Sequence, residues 1–175
     1  GNRIMVLASD IRDAAVLEVQ SYASYARLPA SVKLMDLEAN LALLKVENDA
    51  FFRDLLPLPF APRDPAPGQE VTAVKVDGVF RVYRARVRIK EVNATADYGF
   101  TYLPSTVFRS SEPFRGGGVL LCEERHLCGF IGYSDQEKLA ESLPPSGFSA
   151  FHQRAQAPVY SGFASQGVAL ERLVD

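Results

Sequence analysis

The sequence predicts an all-β fold, and three observations carry that expectation. Short runs of β-type residues, separated by turn signals, fill most of the 175 residues. A proline-rich stretch at 55–69, with Pro57, Pro59, Pro62, Pro65 and Pro67, divides the chain into two halves. It cannot be a central strand, because proline has no N–H for the ladder, so it reads as a linker. Convincing helical patterns come only late, at 134–143 and 145–155.

In chain order, IMVLA (4–8) is a compact apolar run, followed by β-type runs at 14–23, 26–36 and 41–46. After the linker, VTAVKV (71–76) opens a second set of strands. The run 80–92 alternates: Ala85, Val87 and Ile89 fall on one face, and Arg84, Arg86, Arg88 and Lys90 on the other. A basic stripe can bind phosphates, but a half-buried strand puts charges on its solvent face anyway, and that reading is preferred. Residues 117–133 read as a hairpin turning around Glu123 to Arg125. No internal repeat of fixed length is visible.

Composition bounds the function. An apolar fraction of 47% and a charged fraction of 23% are ordinary for a folded protein, and the length allows two small barrels sharing an interface. A net charge of −2 gives no general attraction to nucleic acid or to an acidic membrane. No apolar run approaches the roughly 18–20 residues needed to cross a bilayer, so no membrane insertion is expected. The opening GNRIMVLASD is not a signal peptide and reads as the middle of a longer chain.

Cys122, His126 and Cys128 invite a zinc reading, but only three ligands are local and there is no C-x-x-C. No metal and no cofactor are expected. A cross-strand disulfide is open to these cysteines, with two buried free thiols as the default. Asn93-Ala94-Thr95 is a glycosylation sequon, relevant only in a eukaryotic secretory setting.

The strongest motif is ASVKLMDLEANLALLKVEND (30–49), in which Asp36 and the run Leu41 to Val46 follow the strand-Asp…D-[LI]-A-L-[LI]-K-V pattern of HtrA/Deg-type serine proteases. LPLP (56–59), PGQEVTAV (67–74) and the run 107–133 continue the pattern, with Pro113, Gly117, Gly118, Leu120, Leu127 and Gly129 in register. Residues 4–19 resemble the strand that carries the family's histidine, with Ala14, Leu17 and Val19 aligned; 158–175 resemble the opening of the following PDZ domain. The resemblance implies a trypsin-like double antiparallel β-barrel with a short C-terminal helix. It places part of the first half-barrel at 1–62, the second half-barrel and helix at 63–155, and a linker with the start of a PDZ-like domain at 156–175. Because the aligned part begins at the histidine strand, an incomplete first half-barrel is expected.

A serine protease needs a nucleophilic hydroxyl, a histidine base and a carboxylate that orients it. The resemblance puts Ser9 at the histidine position, Asn40 at the aspartate position and Gly116 at the serine position. The two histidines, His126 and His152, cannot be moved to Ser9 by a small shift. Ser110 and Ser111 read as ordinary serines near a turn. The oxyanion loop survives only as Phe114, Arg115, Gly116, Gly117 and Gly118, with Phe114 where the family has glycine. The triple glycine lacks the Lys-Ser/Thr and helix of a phosphate loop.

The expected function is therefore a catalytically inactive protease-like domain serving as a binding, scaffold or regulatory module for a protein or peptide. The alternatives are a purely structural assembly domain and an active endopeptidase with relocated residues. By family resemblance the compartment is extracytoplasmic (periplasmic) and linked to protein quality control, and oligomers are compatible with a longer chain.

Overall fold

The computed structural model describes residues 3–21, 26–77, 81–94, 105–110, 117–132 and 139–162. Two antiparallel sheets make up the two halves. The first contains β1 (Ile4–Leu7), β2 (Glu18–Gln20), β3 (Arg27–Asp36) and β4 (Leu41–Val46), in the order β1-β4-β3-β2. The second contains β5 (Glu70–Val76), β6 (Val82–Ala94), β7 (Ser105–Ser110), β8 (Gly118–Leu121), β9 (Leu127–Ile131) and β10 (Leu139–Leu143). These close into a barrel in the order β10-β7-β6-β5-β8-β9. A single helix, α1 (Pro145–Arg154), follows among the described residues. This is a trypsin-like double β-barrel architecture, with the first half an open, four-stranded sheet.

Strand periodicity explains the cores. On β6, Val87 and Ile89 are buried while Arg84, Arg86, Arg88 and Lys90 are exposed, as the alternation requires. Val87 and Ile89 join Val71, Ala73, Leu120 and Ile131 inside the barrel. β4 is apolar almost throughout because both of its faces are covered. Leu41 and Leu43 face out of the first sheet and meet Leu127, Leu143, Phe148 and Phe151, which join the two halves. Close backbone approach fixes two glycines: a side chain at Gly118 would collide with the Val74 carbonyl, and one at Gly129 would lie 2.9 Å from both Leu120 and Ser142.

The proline-rich linker is docked. The Leu127 N–H donates to the Pro59 carbonyl at 2.8 Å, and the Ala61 N–H donates to the Leu127 carbonyl at 2.9 Å. Asp64 then caps α1, accepting from the Ser146 N–H at 2.8 Å and the Ser146 hydroxyl at 2.7 Å. Pro144 has no side chain able to do this, so the linker supplies the cap and its charge complements the helix dipole.

Three expectations need correction. The helix expected at 134–143 is absent from its described part: Leu139–Leu143 is a strand, pairing with β7 and β9. Barrel closure outweighs the helix preference of Lys, Leu, Ala and Glu. The β-run at 14–23 shortens to Glu18–Gln20. The default of free thiols also fails, because Cys122 and Cys128 form a disulfide with Cα atoms 5.7 Å apart. The one-turn 3-10 helix Glu123–Arg125 lets the hairpin bring them together. Of the expected linker and PDZ-like opening at 156–175, residues 163–175 lie outside the described residues.

Candidate functional site

The site is a corner where two chain segments meet. After β1, one turn of 3-10 helix covers Ala8–Asp10. Ala8 is completely buried; its N–H donates to the Asn40 carbonyl at 3.0 Å, and its own carbonyl accepts from the Ile11 and Arg12 N–H groups. Ser9, next in the turn, is exposed. Its backbone N–H donates to Asn40 Oδ1 at 2.8 Å.

Asn40 is held by a turn that ends β3. It has φ 52°, in the left-handed region that asparagine tolerates better than most residues. Its N–H donates to the Leu37 carbonyl at 3.2 Å. The preceding Ala39 N–H donates to Asp36 Oδ1 at 2.8 Å. Asp36 is buried, and its second oxygen accepts from the Tyr160 hydroxyl at 2.5 Å. The Tyr160 ring packs edge-on against Phe151, with centroids 5.8 Å apart.

Two ionisable groups at this corner are perturbed. Burial, first, and donation to Asp36, second, raise the Tyr160 phenol above its ordinary value, with nearby Arg154 opposing. Desolvation raises the Asp10 carboxyl, although by surface area Asp10 is exposed.

The structure thus brings Ser9 and Asn40 into direct contact. Gly116, Phe114 and Arg115 lie outside the described residues, and Gly117 and Gly118 lead into β8. Ser110 ends β7. Chemically the corner has a hydroxyl and a neutral amide, and the amide oxygen is taken by a backbone N–H. Neither group is a base. Both histidines are engaged elsewhere. His126 Nδ1 lies 2.8 Å from the Glu123 carbonyl, while His152 Nε2 lies 2.8 Å from Gln156 Nε2 and its ring packs on Phe60 at 5.6 Å.

The disulfide removes both cysteines from the ligand set considered with His126. On the outer face of β6, Arg86 pairs with Glu70 at 3.3 Å, an exposed contact of small energetic weight. Sequence reasoning missed Tyr160 as a partner of this corner.

No family model and no curated protein matches the sequence. Solved structures do match by fold. The active form of the Rv3671c protease from M. tuberculosis is 17% identical, with TM-score 0.70, covering 93% of this chain and 72% of that one. The MamO protease domain from Magnetospirillum magneticum is 18% identical, with TM-score 0.66, covering 85% and 82%. AlgW, an HtrA-type protease seen with a decapeptide, is 13% identical, with TM-score 0.67, covering 86% of this chain and 47% of that one. An inactive form of Rv3671c matches as well, at 18% identity and TM-score 0.69, covering 89% and 79%. The chain therefore has the fold of HtrA-type, trypsin-like serine protease domains. The same fold accommodates both active and inactive forms, so activity must be argued from the side chains.

Proposed function

We propose that this domain is a catalytically inactive relative of HtrA-type proteases that holds polypeptide segments instead of cutting them. One observation carries the reading: the Ser9 N–H donates to Asn40 Oδ1 at 2.8 Å, and neither side chain of this pair is a base. If Ser9 and Asn40 stand where the family has histidine and aspartate, neither of them takes a proton from a nucleophile. On the same alignment Gly116 takes the serine position and has no nucleophilic atom.

The choice of a polypeptide partner is supported by AlgW, which shares the fold and is seen with a decapeptide and a tripeptide. The Cys122–Cys128 disulfide supports an extracytoplasmic setting, since such bonds persist in oxidising compartments. On this reading 1–62 is part of the first half-barrel, 63–155 is the second half-barrel with its helix, and 156–175 is a linker and the start of a PDZ-like domain.

Proteolysis of unfolded casein tests the proposal. No fragments above background are expected, from the wild type or from Gly116→Ser, because a restored hydroxyl would still lack its base and the orienter of that base. Cleavage by either protein would overturn the reading.

A further inference from the structure

Tyr160 follows α1, yet it touches the far half of the molecule: its hydroxyl donates to Asp36 Oδ2 at 2.5 Å across a sequence separation of 124. Asp36 is buried, and its other oxygen holds the Ala39 N–H. One carboxylate therefore joins the segment that follows the helix to the turn that carries Asn40. That turn, in its next residue, holds Ser9 and Ala8.

The segment is anchored on its other side too. Phe151 packs on the Tyr160 ring, and Arg154 Nη1 donates to the Gly162 carbonyl at 2.5 Å. Gly162 has φ 69° and lies against Asp36, where an added Cβ would sit 3.7 Å from Oδ2. The strap from Tyr160 to Gly162 thus makes aromatic, charged and close backbone contacts around the same carboxylate.

We propose that this strap is a coupling element: its docking through Tyr160 and Asp36 sets the order of the Ser9–Asn40 corner, so that displacing it loosens that corner. The inference builds on the binding reading above only in giving the corner a role; the contacts exist whether or not a ligand binds. A partner that pulls the strap away removes the Tyr160 hydroxyl, a side-chain donor to Oδ2. The freed carboxylate then competes with its own turn for donors, and the Asn40 side chain loses its fixed position. Asp36 and Tyr160 are positioning residues in this scheme, since neither has to contact a ligand.

Amide hydrogen exchange of the unliganded protein tests the coupling. Tyr160→Phe keeps the ring on Phe151 and removes only the hydroxyl. The Ser9 and Ala39 amides should then exchange about tenfold faster or more, while the Cys122 amide, bonded to the His126 carbonyl beside the barrel's own core, stays unchanged. Asp36→Ala should speed both amides further, and Asp36→Asn should recover part of the loss, because an amide oxygen can still accept from Ala39. If Asp36→Ala loosens Ser9 and Tyr160→Phe does not, the strap is not coupled to the corner and the proposal is wrong. Uniform acceleration across the barrel in Tyr160→Phe would overturn it too, as general destabilisation. Because no ligand and no activity enters the readout, its failure is separate from failure of the inactive-protease reading.

Discussion

The two halves of this molecule contain the same four-strand unit in two states of completion. In the barrel, β7-β10-β9-β8 run in the order first, last, third, second of the four, and β1-β4-β3-β2 repeat that order in the first sheet. The barrel closes its unit with the β5–β6 hairpin, which bridges β8 and β7, and so has an interior of its own around Val87, Ile89 and Leu120. The first sheet has no such bridge among the described residues. Its largest buried cluster is shared: Leu7, Leu41 and Leu43 pack on Phe148, Phe151 and Leu127 from the other half. The candidate site thus sits on the half that depends on its neighbour for order, while the self-contained barrel supplies the platform.

The comparison breaks most directly at Phe151. It is fully buried between the halves, and Phe151→Ala should cost about 3–5 kcal/mol, a large share of a typical domain's stability. Urea unfolding followed by amide exchange should show the first sheet losing protection before the barrel. Simultaneous loss of both halves would mean that they do not differ in autonomy.

The disulfide probes the other half. Replacing Cys122 and Cys128 with serine removes a short cross-link within β8–β9, which should lower stability by about 2 kcal/mol, read as a shift of the urea midpoint. The Ser9 amide should be unaffected in native exchange.

How much of this was legible follows from where each signal resides. The β6 alternation and the apolar run of β4 are local patterns, readable because a strand's period is written in its own residues. Leu139–Leu143 was not readable, since the residues around it favour a helix in isolation and only pairing with β7 and β9 makes it a strand. Ser9 and Asn40 were singled out through the family resemblance, and the structure brings them into contact. The Tyr160–Asp36 contact left no sequence signal, because a lone tyrosine in an aperiodic segment does not indicate a partner 124 positions away.

A smaller effect comes from alkaline pH. Tyr160 has a folded pKa above its ordinary value, through burial and Asp36, with Glu38 adding to the rise and Arg154 opposing it. The stability it contributes is fully present below about pH 10, its unfolded value, and is lost as pH rises beyond that. Chemical denaturation at stepped pH should show an added loss above pH 10 that is absent in Tyr160→Phe.

The smallest effect is expected at Asp10, where desolvation raises the carboxyl. A raised acid contributes stability below its unfolded pKa and loses it as pH climbs through the folded value, so ionised Asp10 is slightly unfavourable at neutral pH. Asp10→Asn should leave the melting temperature at pH 7 unchanged or slightly higher; a clear drop would show that the charge has a partner.

The central proposal is that this domain is catalytically inactive, with no activated serine nucleophile. Incubation with a serine-directed fluorophosphonate, followed by intact-mass measurement and peptide mapping, tests it most directly. The account predicts the unmodified mass after prolonged exposure. A stoichiometric adduct on any serine, whether Ser9, Ser110, Ser111 or another, would contradict it.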